Sequence, residues 1–287
     1  MNNIIFLNGS LLPRSQASIS VLDYGFLYGY GLFETMRAYN GQVFRLERHL
    51  ERLSDSIEML GFNIAGVDLR SAVTDVTQAN NLSDARIRVT VSIGEGGMVP
   101  DPGSCDEPTV LVMAEAYQPY PPPIYHKGFK TITSTIRRNS QSPLSQIKSS
   151  CYLESLLARQ QARAAGADEA ILLNDKGFLT EASTSNIFLV TGSLLRTPAR
   201  DSGILPGITR EAILELAPQS GITSVEDNIE PDELFQAEEA FLTNSIMEIM
   251  PLTEVDGKPI GMGVSGQTTG KLVAAYSDLV KLETGKH

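Results

Sequence analysis

The sequence predicts an α+β protein of two domains. Three observations carry that reading: a strict two-residue alternation at 86–93, a leucine pattern of helical spacing at 46–60, and a proline cluster at 117–125. With 287 residues and 42% hydrophobic content, the chain can bury a substantial core. Its formal charge of -11 repels phosphate polymers, which argues against nucleic acid or an anionic membrane as partner. Cys105 and Cys151 form no CxxC pair and His49, His126 and His287 no metal-like cluster, so a reduced cytoplasmic setting is expected. No apolar run approaches the ~18 residues that span a bilayer, and the first residues read as a strand into a turn rather than a leader. A soluble protein is expected.

After that strand, residues 24–31 interleave tyrosine with glycine, as a loop under the core or as backbone packed tightly against rings near a site. The segment matches neither a dinucleotide fingerprint nor a P-loop. Leu46, Leu50, Leu53, Ile57 and Leu60 then recur at steps of four and three up to Gly61, predicting an amphipathic helix with a glycine stop. Between 86 and 93, Ile87, Val89, Val91 and Ile93 share one strand face and Arg86, Arg88, Thr90 and Ser92 the other. A more apolar strand follows at 108–114. The stacked prolines of 117–125 predict a stiff extended linker that excludes a helix, dividing the chain into domains at 1–116 and 126–287. Beyond it, strands at 129–136, 169–173 and 185–190 surround a helix at 151–165.

Lys148 is the lysine that lies between a predicted strand and an apolar helix, whereas the others fall in turns, at strand starts or in a polar C-terminal segment. A lysine amine can condense with an aldehyde cofactor, and a carboxylate facing a pyridine nitrogen keeps that nitrogen protonated. Glu181, in the stretch 179–188, is the candidate for that carboxylate, and the pair points to pyridoxal phosphate. The Pro-Gly turn of 204–214 opens into a helix whose first amides include those of Ile208 and Thr209, an anion site or a plain capped start. Arg45, at the mouth of the 46–60 helix, is a candidate cation for a phosphate, or an exposed salt-bridge partner. Arg88 suits a substrate carboxylate, though Arg86 and Arg88 are equally suited to structural ion pairs. A cysteine nucleophile at Cys151 lacks a neighbouring histidine and reads instead as a small buried helix residue.

Together the motifs at 28–37, 44–53, Lys148, 181–186, 205–210 and 243–251 resemble the fold-type IV (class IV) pyridoxal phosphate enzymes. That family includes branched-chain and D-amino acid aminotransferases and aminodeoxychorismate lyases. The resemblance implies a small α/β sandwich-like N-terminal domain, a larger C-terminal domain with a β-barrel-like sheet, and a homodimer. It makes Lys148 the Schiff-base lysine and acid/base, Tyr152 the partner of the cofactor hydroxyl, and Glu181 that of the ring nitrogen. It gives the phosphate to Arg45, Ile208, Thr209 and Ser245; the substrate side is expected at Tyr30, Thr35 and Arg88.

Two features bear on the substrate. Residues 205–210 are similar to branched-chain aminotransferases, whereas Thr35 replaces their glycine and Asn244-Ser245-Ile246 their Gly-Thr-Ala, as in the lyases. The expectation is an aminotransferase moving the amino group of a branched-chain or other hydrophobic amino acid to a 2-oxo acid such as 2-oxoglutarate, by a ping-pong mechanism. The alternatives are an aminodeoxychorismate lyase that eliminates pyruvate, then a D-amino acid or (R)-amine transaminase. A binding protein that has kept the fold without chemistry is disfavoured by the joint presence of Lys148 and Glu181.

Overall fold

The computed structural model describes residues 3–64 and 66–285. The chain forms two compact units: Met1–Gln118 with Ile147–Cys151 and Val280–His287, and Pro119–Gln146 with Tyr152–Leu279. Two stretches of the chain, Ile147–Cys151 and Val280–His287, return to the first unit from further along the sequence. Lys148 lies in one of them.

In the first unit a six-stranded sheet has the order β2-β1-β6-β5-β3-β4. These strands are β1 (Ile4–Leu7), β2 (Ser10–Pro13), β3 (Gly31–Tyr39), β4 (Gln42–Val43), β5 (Ala85–Ser92) and β6 (Thr109–Ala116). All the neighbours pair antiparallel. The alternation read at 86–93 is realised in β5: Ile87, Val89 and Val91 are buried, and Arg86 and Arg88 share the other face. Helices α2 (Leu46–Leu60) and α3 (Leu69–Ala79) cover the buried face, where Leu53, Ile57, Val73 and Val76 pack on Met36, Ile87 and Val112. Helix α2 stops at Gly61 with φ 74°, a left-handed cap that glycine adopts without steric cost. The glycine–tyrosine stretch is not wholly a loop. Asp23 caps a short helix α1 (Tyr24–Tyr28), and the Tyr24 hydroxyl donates to the carbonyls of Gly97 and Val99.

The second unit is built on a nine-stranded sheet of order β12-β11-β10-β13-β14-β7-β8-β9, with β15 on β14. Its strands are β7 (Phe129–Arg138), β8 (Glu169–Asn174), β9 (Leu179–Ala182), β10 (Asn186–Thr191), β11 (Leu194–Pro198), β12 (Thr223–Asp227), β13 (Glu239–Asn244), β14 (Glu248–Val255) and β15 (Lys258–Pro259). The helices of this part of the chain are α4 (Pro122–Lys127), α5 (Leu153–Ala164), α6 (Ile208–Gln219) and α7 (Gln267–Thr284), the last running on into residues of the first unit. Strand β9 ends the strand order, yet Ala182 N donates to Ser185 O as the chain turns into β10, so the sheet curls back on itself. Leu179, Ile187, Leu242, Met250 and Leu252 fill the curl.

Two local expectations are corrected. The proline stretch does contain a helix, α4, because prolines in a first turn lack only amides that would be unpaired there anyway. Cys151 is exposed and precedes α5, which starts at Leu153, rather than being a buried helix residue.

Candidate active site

In the first unit Lys148 is fixed by backbone pairing with β3. Phe33 N donates to Lys148 O at 2.8 Å and Ser150 N to Gly31 O at 2.8 Å, with a bridge between Leu32 and Ser149. The Lys148 ammonium lies 4.5 Å from the centroid of the Phe33 ring, and the Arg88 guanidinium carbon lies 3.9 Å from the same centroid. Both cations thus use one aromatic ring. Thr35 is opposite Arg88 in the β3–β5 register, and Arg88 Nε donates to Thr90 Oγ1 at 3.2 Å. The structure brings Lys148, Thr35 and Arg88 into one neighbourhood.

Beside them lies a buried ionic trio that the sequence reading missed. Glu34 accepts from His49 Nδ1 at 2.7 Å and from Arg52 at both Nε (2.8 Å) and Nη2 (2.7 Å). Burial alone would raise the Glu34 carboxyl, but the charges and hydrogen bonds of Arg52 and His49 outweigh it and hold it at about 2. Burial pushes His49 below its ordinary range despite Glu34, and the Lys148 charge adds to that depression. One signal was legible: His49 and Arg52, three apart, put polar groups on the same side of a leucine-rich helix.

Arg45 goes elsewhere. It occupies the left-handed N-cap of α2, its Nε lies 3.6 Å from a Glu283 carboxylate oxygen, and its guanidinium carbon lies 5.5 Å from the Phe44 ring centroid. Tyr30 gives its hydroxyl to Leu60 O at 2.7 Å, which ties it to the end of α2.

In the second unit Glu181 is buried at the end of β9. One carboxylate oxygen lies 3.3 Å from Arg138 Nη1, and the other accepts from Asn186 Nδ2 at 3.0 Å and Leu205 N at 3.2 Å. Asn186 also donates to Leu205 O at 2.9 Å, so it links the carboxylate to the loop before α6. That helix starts at Gly207 with no side-chain cap. Ile208 and Thr209 are therefore at a helix start whose amides suit an anion. Arg210 holds the helix start in place by donating to Pro198 O and Glu226.

Tyr152 donates its hydroxyl to Ser183 O at 3.1 Å. Burial, and then the negative charge of Glu181, push this phenol up to about 12. Ser245 lies in the turn from β13 to β14, which Asn244 shapes by accepting from Ile246 N at 3.0 Å and Met247 N at 2.8 Å. The Oγ of Ser185 and the Oγ1 of Thr243 are buried without a hydrogen-bond partner. A buried carboxylate paired with a guanidinium, an uncapped helix start and spare hydroxyls fit a ligand carrying a ring nitrogen and a phosphate. Among the described residues no group could hold a metal ion, and no helix is long and apolar enough to cross a membrane.

Comparison with known proteins identifies the family. Residues 31–255 match the family model described as amino-transferase class IV. A branched-chain-amino-acid aminotransferase of Pseudomonas aeruginosa is 35% identical over 295 residues, covering 100% of this chain and 95% of that protein. An aminodeoxychorismate lyase of Bacillus subtilis is 32% identical over 284 residues, covering 97% of this chain and 95% of that protein. A crystal structure of the T.th. branched-chain amino acid aminotransferase with pyridoxamine 5'-phosphate superposes with a TM-score of 0.93 at 29% identity, over 100% of this chain and 96% of that one. The fold, the residues carried by the curled sheet and the match along the chain agree: this protein is a member of the class IV aminotransferase family.

Proposed function

We propose that this protein is a pyridoxal 5'-phosphate-dependent aminotransferase acting on branched-chain or other hydrophobic amino acids, with a 2-oxo acid such as 2-oxoglutarate as acceptor. The observation that carries the reading is the buried Glu181 carboxylate, held by Arg138, Asn186 and Leu205 N in a class IV fold. The branched-chain preference is supported by the relatives that bear that name.

When bound, the cofactor supplies an aldehyde that condenses with amines and a protonated ring that takes up an electron pair from the substrate carbon. The chain's own groups do the rest. Lys148 would hold the aldehyde through its amine and, as a free neutral amine, would move a proton at the substrate carbon. Glu181 would hold the proton on the ring nitrogen, and the Tyr152 hydroxyl, whose own proton goes to Ser183 O, would accept from the ring hydroxyl. Ile208 and Thr209 would receive the phosphate through the α6 amides, with the Ser245 hydroxyl as a further donor.

For the phosphate cation, Arg52 replaces Arg45 in this reading. Arg45 is engaged by Glu283, whereas Arg52 is oriented by a two-point grip on Glu34 next to His49, which feels the Lys148 charge. Arg88 receives a substrate carboxylate, with Thr35 alongside, and Tyr30 contributes its ring while its hydroxyl serves Leu60. Exposed Phe26, Met98 and Val99 support assembly as a homodimer, which sedimentation of the purified protein tests. A cytoplasmic location is part of the same reading.

One observation favours aminodeoxychorismate lyase as a second reading. Asn244 takes up both turn amides, so they do not present bare donors to a substrate carboxylate. Mixing the cofactor-loaded protein with L-leucine, without acceptor, tests the two. Loss of the visible cofactor band with release of a 2-oxo acid supports the aminotransferase. An unchanged spectrum, together with pyruvate release from aminodeoxychorismate, supports the lyase.

A further inference from the structure

Glu169, the first residue of β8, is a buried carboxylate that none of the roles above uses. Its Oε1 accepts from Ala170 N at 2.8 Å and from the Ser183 hydroxyl, and its Oε2 accepts from Thr184 Oγ1 at 2.7 Å and Arg159 Nη1 at 3.1 Å. Four donors on one carboxylate satisfy it without water, and two of them come from consecutive residues of the turn between β9 and β10. Both carbonyls of that turn hold other side chains. Ser183 O accepts from the Tyr152 hydroxyl at 3.1 Å, and Thr184 O accepts from Asn244 Nδ2 at 3.1 Å. Asn244 in turn fixes the amides of Ile246 and Met247 in the turn that carries Ser245. Glu181 leads into the β9–β10 turn and Asn186 leaves it.

We infer that Glu169 is a positioning residue for the cofactor contacts of the second unit, acting through the Ser183–Thr184 turn on Tyr152 and on the Asn244–Met247 turn. This inference rests on the reading that Tyr152 and Ser245 face pyridoxal phosphate. The physical argument concerns precision rather than stability. A turn linking two strands is free to shift by a fraction of an ångström unless its side chains are tied down, and a misplacement of that size weakens every contact it carries. Arg159, on α5, donates to the same oxygen as Thr184 and so ties the carboxylate to the helix that Tyr152 precedes, and one group references the turn to both β8 and α5.

The test is the Glu169→Gln variant, which keeps the shape but replaces one acceptor oxygen by an NH2 facing hydroxyl and guanidinium donors. The readouts are the dissociation constant for pyridoxal phosphate, followed by the visible band on dilution of the loaded protein, and the absorption maximum of that band. The expected result is roughly ten-fold weaker cofactor binding with a displaced maximum. The same measurement on Tyr152→Phe and on the double variant completes a cycle, in which the double variant loses less than the product of the two single losses. Thr184→Val, isosteric and without charge change, shifts the same readouts in the same direction by a smaller factor. It keeps the test valid should the glutamine variant fold poorly. Unchanged cofactor affinity in both Glu169→Gln and Thr184→Val, or strict multiplicativity with Tyr152→Phe, overturns the role of Glu169 alone. A wild-type protein that takes up no pyridoxal phosphate overturns the cofactor reading and this inference with it.

Discussion

The Glu34→Gln substitution probes the ionic trio of the first unit. The structure places Glu34 at 1% exposure with three hydrogen bonds from two cationic or titratable partners, His49 and Arg52. Its carboxyl is held at about 2 against an ordinary 4.5. At about 1.4 kcal/mol per unit, that gap corresponds to ~3 kcal/mol of folding free energy. The value agrees with the ~3–5 kcal/mol lost when one partner of a buried ion pair is removed and the other is stranded. Because the folded value is depressed, the contribution is whole above the ordinary 4.5 and is lost as the pH falls toward about 2. Burial lowers His49 from its ordinary range, which adds a loss of the same sign as the pH falls through that range. The assay is thermal unfolding by circular dichroism at several pH values between roughly 7 and 3, a range that spans most of that loss. At neutral pH the variant's first transition is expected roughly 6–12 °C below wild type. The difference is expected to shrink as acid removes the same contribution from the wild type. Equal midpoints at neutral pH, or a gap that stays constant into acid, would refute the reasoning.

Three further outcomes follow from the site. Lys148→Ala is expected to abolish the borohydride-sensitive visible band and nearly all turnover while leaving the circular dichroism spectrum unchanged, since the backbone of Lys148 does the pairing with β3; full activity would refute its role. Glu181→Gln is expected to cost about 100-fold or more in kcat with cofactor still bound, because a neutral amide does not retain the ring proton, and single-turnover rates check it. In Gly207→Ala the backbone is tolerant at φ −71°, but the new methyl would collide with Asn186 Oδ1. Asn186 must then move off Glu181, with a loss of ~1–3 kcal/mol in stability and weaker cofactor binding, both read by melting with and without pyridoxal phosphate.

Much of the fold was legible because its signals are local. The leucine spacing of α2 and the alternation of β5 each bury one face, and that requirement is written into nearest neighbours along the chain. The helix α4 was not, because proline statistics describe helix interiors while the prolines here occupy a first turn. The return of Ile147–Cys151 to the first unit was not legible either, for a different reason. Its membership in the first unit comes from bonds to Gly31 and Phe33, far away in sequence, which no local pattern encodes.

The candidate site divides in the same way. Lys148, Glu181 and the Pro-Gly helix start could be proposed from their place in the sequence, and Tyr152 from the family resemblance, since pyridoxal phosphate chemistry calls for such residue types. Which arginine serves which partner could not. Arg45 and Arg52 lie about two helical turns apart along α2, yet Glu283 engages the first while Glu34 grips the second. Arg138, Asn186 and Glu169 carried no signal on their own, because an isolated polar residue looks the same whether it is solvated or buried. The sequence by itself determined the family, the fold class and which residue types are candidates for the chemistry. Only the tertiary structure decided which charges meet, because a salt bridge or a buried hydrogen bond depends on strand register and helix packing summed over the whole chain.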